Sequence, residues 1–397
     1  MDPIQCVNQL RQSLAAGKLP VGFILGAGCP CAVRVSIDGS LGPLIPDVRG
    51  LTAVVKSGLA SSILFSKLIN TLTEDNEADP DVEMMLSRVR ALKDVAGNGA
   101  PRGLNSNDLA ELEKEITQAI VVAVNKRLPR QTTPYHSLAR FVGSERRPHS
   151  EVFTMNYDVL MEQALEDEMV PYADGFVGST RPFFDQRVVE EDNLPERWSR
   201  LWKLHGSINW RLDKTMRRVR VVRSFKEEDG DEVLIHPSHL KYDESRRMPF
   251  LVMIDRLKNF IRNSRNPVSL FALGYSFRDD HINAVIADSL RDNPNAACLA
   301  LQHGDLVAYP KARALAEENP SLWILGRDAA IIRGTEIKWI ATAAMDKASL
   351  AGTFEVPDPN EGESEDAERA CRMNLGDFKV FGEFLDRFAA NESVAQI

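Results

Sequence analysis

Four short stretches of the chain carry residue types that could do chemistry. Gly26-Ala27-Gly28 follows the apolar run Val21–Leu25. Glycines at that point let a backbone approach a pyrophosphate, with the next N–H groups as donors. The pair also reads as a tight turn, and Cys31 breaks the longer G-x-G-x-x-G spacing. Asn156 and Asp158 come just after the run Glu151–Met155, where side chains of a parallel sheet meet a ligand. Asp158 equally suits the cap of a helix over Val159–Leu165. His205, in Leu204-His-Gly-Ser207, is either a general base or a satisfied imidazole in a turn. Ser276, two residues after Gly274, could donate to a phosphate or ribose, or cap the helix that Asp279, His281 and Asn283 open. His236-Pro-Ser-His239 resembles half of a metal site but has no cysteine or carboxylate companions, so no metal is expected.

Something must bring these segments together. Each follows a short apolar run of the kind a strand buried on both faces shows. Similar runs recur at Leu201–Leu204, Val268–Leu273, Ala297–Leu301, Leu322–Leu325 and Ile337–Ile340. Helical patterns at Asp280–Leu290 and Lys311–Glu318 separate some of them, which implies a doubly wound α/β fold with a parallel sheet. We expect that Rossmann-like domain over residues 1–50 and 145–345. Residues 51–144 break the alternation and read as a helical insertion. Within it Leu109, Leu112, Ile116 and Ile120 share one face, with Ser106 or Asn107 as cap and Pro129 as terminator. Arg211–Glu232, with Arg217, Arg218, Arg220 and Arg223 and a turn at Asp229-Gly230-Asp231, reads as a hairpin or flap whose arginines face solvent. Residues 346–397 read as an acidic linker followed by a C-terminal helix. Seven of the fourteen residues Glu355–Glu368 are acidic, and Asp377–Ala390 aligns Phe378, Phe381, Phe384, Leu385 and Phe388 on one face. That face docks either on its own domain or on a second subunit.

Composition removes several alternatives. A net charge of −9 argues against a constitutively basic nucleic-acid binder, and no direct sequence-specific nucleic-acid binding is expected. No apolar run approaches the roughly 20 residues that cross a bilayer. The opening residues show no secretory pattern, so a soluble cytoplasmic chain is expected. Five cysteines, an odd number with no C-x-x-C pair, argue against a disulfide framework and a four-cysteine zinc site.

Taken in order, the segments resemble the sirtuin-like NAD-binding domain. Leu25–Gly28 is similar to its first glycine motif and Leu44–Gly50 to its Ile-Pro-Asp-Phe-Arg loop, with Val48 for Phe. Thr154–Asp158 is similar to Thr-Gln-Asn-Ile-Asp, with Met155 for Gln; Leu204–Gly206 to Leu-His-Gly; and Gly274–Phe277 to Gly-Thr-Ser-Leu. The wording of Asn-Tyr-Asp, Leu-His-Gly-Ser-Ile-Asn-Trp and Gly-Tyr-Ser-Phe most resembles bacterial sirtuin-like effectors of antiphage defence, in the short form partnered with a HerA-like ATPase. Two departures stand out. Gly206 to Ala297 contains no cysteine where deacylases of the family carry a zinc ribbon, and Pro30 stands where the family has Ser.

The resemblance implies an NAD hydrolase releasing nicotinamide and ADP-ribose, with NAD as substrate and no zinc. It assigns Asn156 to positioning the water or ribose, His205 to base catalysis and Asp158 to the nicotinamide carboxamide. Gly26, Ala27 and Gly28 would cradle the pyrophosphate, Gly274 and Ser276 would lie on the adenosine side, and Asp47 and Arg49 would cover the nicotinamide pocket. It further implies a homo-oligomer engaged by a hexameric HerA-like ATPase. Protein deacylation, or nucleotide sensing or assembly without turnover, are the alternatives.

Overall fold

The computed structural model describes residues 2–15, 19–37, 39–75, 77, 79–144, 149–213, 220–226, 232–235, 249–262, 267–342, 345, 347–358 and 367–395. His236 and His239, Arg217 and Arg218, and the turn at Asp229–Asp231 lie outside the described residues.

A nine-stranded sheet organises the chain. Its strands are β1 (Val21–Leu25), β2 (Glu151–Thr154), β3 (Tyr172–Ala173), β4 (Ser199–Lys203), β5 (Val268–Leu273), β6 (Ala296–Leu301), β7 (Leu322–Leu325), β8 (Ala329–Ile332) and β9 (Thr335–Lys338). They lie in the order β9-β8-β7-β6-β5-β1-β2-β4-β3. Pairing is parallel from β3 to β7, and β8 and β9 close the edge as antiparallel strands. The chain leaves β1 toward β2, then returns to lay β5 on the other side of β1. Strand order therefore reverses between β1 and β5, and a crevice opens at such a reversal beyond the strands' carboxyl ends.

The continuous apolar runs follow from this placement. In β1, Val21, Phe23 and Leu25 enter one core and Ile24 the other; in β5, Phe271 and Leu273 enter the first while Leu270 and Ala272 enter the second. The expected strands are all present, but Ile337–Ile340 is divided. Ile337 belongs to the antiparallel edge and Ile340 to a separate strand, with fully buried Trp339 between them.

Most of the described residues between 48 and 143 lie in helices: Val48–Gly58, Ile63–Glu74, α1 (Val82–Ala96), α2 (Ser106–Val124) and α3 (Pro134–Gly143). Leu109, Leu112, Ile116 and Ile120 form the buried face of α2. Its cap is Asn105, not Ser106 or Asn107. The Asn105 side chain accepts from the N–H groups of Asn107 and Asp108, and Asp108 returns a bond to the Asn105 N–H, a reciprocal pair that fixes the start one residue earlier. The helix stops at Val124, short of Pro129, because Gln163 clamps the extended stretch that follows through Lys126 O and the Leu128 N–H.

After β2 comes α4 (Leu160–Asp167), after β5 comes α5 (Asp280–Asp292), and the chain ends in α6 (Phe378–Ala395). A second sheet, strands Phe176–Val177, Phe183–Phe184, Gly206–Asp213, Arg220–Arg223 and Glu232–Ile235, is the flap, larger than one hairpin. The stretch read as a linker carries strands Phe354–Glu355 and Glu368–Ala370, paired with Arg372–Met373 and Ile340–Thr342 respectively.

The aromatic face of α6 docks on its own chain. Phe381 is fully buried with its ring centroid 6.4 Å from Phe23 and 6.2 Å from Phe271, and Phe378 meets Tyr135 edge-on at 5.1 Å. Reach toward a second subunit through this face is thereby corrected: the same phenylalanines complete the sheet's first core, and apolar area already buried has nothing left to gain from a partner.

Candidate functional site

Register brings the sequence motifs to one level. Leu25 pairs with Thr154 on one side and with Leu273 on the other, while Thr154 pairs with Lys203. The residues that follow, Gly26, Met155, Leu204 and Gly274, therefore emerge side by side at the carboxyl ends of β1, β2, β4 and β5. Backbone bonds from Met155 N to Leu25 O (3.1 Å) and Leu204 N to Thr154 O (2.8 Å) extend the ladders into the loops.

The glycine turns after β1 and β5 pack directly on each other. Gly26 N–H donates to Leu273 O (2.9 Å) and Gly28 N–H to Gly274 O (3.0 Å). A Cβ on Gly26 would stand 2.4 Å from Gly274 O, and one on Gly274, whose φ is +59°, would stand 2.6 Å from Cys29 N. Glycine is needed at both places for backbone contact. Two of the three amides in Gly26-Ala27-Gly28 are thus committed within the protein, which narrows what this turn offers a phosphate. On the β5 side Phe277, buried with φ +57°, completes a strained turn that leaves Ser276 exposed.

Asn156 lies half-buried beside this contact. Its side-chain Nδ2 donates to Gly26 O (3.1 Å), and its own N–H bonds Thr154 Oγ1 (3.1 Å). The amide is held across β1 and β2 with its oxygen turned from the Gly26 carbonyl. Asp158 is buried and performs the helix-start role: Oδ1 accepts from Leu160 N at 3.0 Å. Burial raises its carboxyl to about 6, even though the Lys203 ammonium pulls the other way. Lys203 itself is buried at the end of β4, donating to the Asp158 carbonyl and to Glu162 Oε1 (3.0 Å). It pins the Asn156–Asp158 loop from below.

His205 sits in the turn after β4, which Gly206 closes with φ +88°. Its Nε2 is 2.9 Å from Asp279 Oδ2, and both side chains are about nine-tenths buried. Burial alone would raise the Asp279 carboxyl. The His205 ring 2.9 Å away, with the Ile282 and His281 N–H groups, holds it below its ordinary value. Glu83 of α1 approaches from the helical block. Tyr157 Oη bonds its Oε1 at 3.4 Å, and burial raises the Glu83 carboxyl against the opposing charge of His205.

Asp47 and Arg49 are exposed, and Asp47 caps the helix Val48–Gly58 through Gly50 N (2.8 Å). The Cys31 thiol near this loop is pushed up to about 11 by burial and by the Asp47 charge. Sequence reasoning missed Asp279 and Glu83 as neighbours of His205, and Lys203. Asp279 reads in the sequence only as one of the residues opening α5, with Ser276 as the candidate cap; the cap is Asp279, and Glu83 lies about 120 residues away on another element. Two surface concavities, one lined by Arg11, Thr353, Phe384 and Arg387 and one by Gln5, Gln9, Trp323 and Arg333, lie at the tail and the sheet edge rather than at these strand ends. Among the described residues His149, Glu151 and Asp192 could converge on a metal, but Arg256 bonds both oxygens of Glu151 and Oδ2 of Asp192, and Arg200 bonds the remaining oxygen of Asp192, so their charge is already balanced by two guanidiniums.

Comparison with known proteins adds one observation to this geometry. Residues 150–323 match the SIR2-like domain family. The SIR2-like segment spans Asn156, Asp158, His205, Gly274, Ser276 and Asp279, and stops short of the first glycine turn and the helical block. No curated protein matches the chain. Solved structures similar to it include one described under the structural basis for the mechanism and regulation of Sir2 enzymes, at 13% identity and TM-score 0.34 over 74% of this chain and 84% of that one. Another is Sir2Tm bound to a propionylated peptide, at 11% identity and TM-score 0.32 over 75% and 87%. A third is a serine-to-alanine mutant of a Sir2 homologue in complex with ADP-ribose, at 13% identity and TM-score 0.33 over 75% and 85%.

Proposed function

We propose that the chain hydrolyses NAD to nicotinamide and ADP-ribose. The observation carrying this reading is the anchored pair at the strand ends: the Asn156 amide fixed on Gly26 O and the His205 ring fixed on Asp279, on the β2–β4 side of the reversal between β1 and β5. An NAD-using enzyme accords with the SIR2-like match over 150–323.

The chemistry asks little of an acid. The ribose C1′ bears a cationic pyridinium, so nicotinamide leaves neutral as positive charge develops on the sugar, a transition state of oxocarbenium character. The protein has to orient the dinucleotide, stabilise that charge and place a water. Asn156, its Nδ2 spent on Gly26 O, presents its oxygen to the water or to the ribose. His205 accepts the proton that the water gives up as its oxygen bonds C1′. Asp158, raised to about 6, is the group assigned to the carboxamide. The glycine turns bring backbone close to the pyrophosphate, with Ser276 as an exposed donor near the adenosine and Asp47 and Arg49 on the covering loop. Zinc has no assigned part.

Unrestrained hydrolysis of NAD would poison a cell, so the reading extends to an antiphage effector held in a homo-oligomer and engaged by a HerA-like ATPase. Among the described residues no helix is long and apolar enough to cross a membrane. Chromatography of products after incubating the chain with NAD tests the hydrolase. Equimolar nicotinamide and ADP-ribose is expected. Intact NAD refutes it, and nicotinamide release only with an acylated peptide establishes the deacylase instead.

A further inference from the structure

We propose that Asp279 is a positioning residue for His205: it fixes the imidazole with its proton on Nε2 and leaves Nδ1 as the atom that accepts a proton in turnover. The inference rests on the hydrolase reading for its kinetic arm, and its structural arm stands alone.

The geometry divides the Asp279 carboxylate between two tasks. Oδ1 accepts from the N–H groups of His281 (3.0 Å) and Ile282 (3.2 Å), the first turn of α5. Oδ2 faces His205 Nε2 at 2.9 Å. An ionised carboxylate presents only lone pairs, so a bare Nε2 at 2.9 Å would set its own lone pair against them; a neutral ring is favoured with its hydrogen on Nε2 and its lone pair on Nδ1. Both groups are nearly buried, so water competes poorly for the contact. The two N–H bonds tie the carboxylate to a helix start that follows Phe277, a non-glycine residue held at φ +57°. Asp279 cannot swing away without unwinding that turn. When His205 takes the proton from the attacking water, the imidazolium forms against an existing negative charge. Glu83 offers the ring a second acidic neighbour, but Tyr157 holds its Oε1, and it is not the group in contact.

Helix capping by itself would explain Asp279, so the test must separate the two roles. Asn caps a helix about as well as Asp. In Asp279→Asn the amide oxygen is required by the α5 N–H groups, so the NH2 turns toward His205 and Nε2 must become the acceptor. The ring is then held in the opposite tautomer, with its lone pair directed at residue 279.

The experiment uses the full chain with 15N-labelled histidine, His205 being assigned by its absence in His205→Gln. Long-range 1H–15N correlation should find the wild-type proton on Nε2 and move it to Nδ1 in Asp279→Asn. NAD cleavage in Asp279→Asn should fall at least 30-fold in kcat with KM within about threefold of wild type. Asp279→Ser, which also caps, should fall comparably, and Asp279→Glu should recover part of the rate. A wild-type proton on Nδ1, or Asp279→Asn turning over within threefold of wild type with its melting temperature intact, overturns the inference. If the wild-type chain leaves NAD intact, the hydrolase reading fails, and the tautomer measurement still decides whether Asp279 sets the proton on Nε2.

Discussion

Replacing Asp158 with asparagine should flatten one limb of the chain's stability–pH curve. The folded protein holds this carboxyl at about 6, against an ordinary value of 3.8, because burial disfavours the anion more than Lys203 favours it. Between about pH 4 and pH 6 the folded state therefore keeps a proton that the unfolded chain has released. Stability falls as pH rises through that window and is level above it. A shift of about two units corresponds to roughly 3 kcal/mol lost between pH 4 and pH 7. The amide that replaces the carboxyl in Asp158→Asn carries no such proton, and its oxygen can still accept from Leu160 N, so the helix start is kept. Denaturant unfolding of both proteins at pH 4, 5, 6 and 7.5 should show Asp158→Asn gaining about 3 kcal/mol on wild type across the series. With an unfolding entropy of roughly 0.8 kcal/mol/K for a chain of this length, that is a relative rise in Tm of about 3–4 °C. Parallel pH profiles would refute the reasoning, since they would mean that the carboxyl titrates alike in both states.

Asn156→Ala and His205→Ala should each lower NAD turnover by at least 100-fold, the scale of a positioned proton acceptor, with circular dichroism unchanged because neither side chain fills an apolar core. Retention of a tenth of the rate by either variant refutes its role. Gly274→Ala should destabilise the chain by about 3 kcal/mol, from its positive φ and a Cβ 2.6 Å from Cys29 N, and thermal unfolding reads this directly. Phe381→Ala should cost about 3–5 kcal/mol by emptying a fully buried site between Phe23 and Phe271. Truncation at Glu355 should then yield an insoluble or unfolded chain rather than a folded subunit with a changed assembly mass, which sedimentation distinguishes.

The sheet was legible because parallel strands are buried on both faces and read as unbroken apolar runs. Val21–Leu25 and Val268–Leu273 needed no context to be recognised. The dual use of Asp158 was legible as two readings, and the structure realises the helix-start one while burial raises the carboxyl. What stayed hidden depended on sequence-distant pairs. Nothing local to Glu83 tells that α1 delivers it beside His205, and the partnership of His205 with Asp279 spans two strands and their loops. Of the acidic stretch Glu355–Glu368, residues 359–366 lie outside the described residues, and its two ends pair at Phe354–Glu355 and Glu368–Ala370 through backbone groups that composition does not register.

Fold and site share one structural element here, and this has a consequence for how substitutions act. The turns after β1 and β5 touch through bare backbone, and the same Gly26 whose N–H reaches Leu273 O also receives the Asn156 amide on its carbonyl. A Cβ on Gly274 would stand 2.6 Å from Cys29 N and 2.9 Å from Gly28 Cα, so relieving it would move Gly28, then Gly26, and with it the acceptor that orients Asn156. His205 hangs on a different support, the start of α5, which follows β5 directly. The two groups assigned to the reaction are therefore fixed to the two strands that flank the reversal, β1 and β5, although each is carried in sequence by another strand. A change in the β1–β5 contact alters the relation between Asn156 and His205 before it unfolds anything, so in Gly274→Ala turnover should fall at temperatures where the chain is still fully folded.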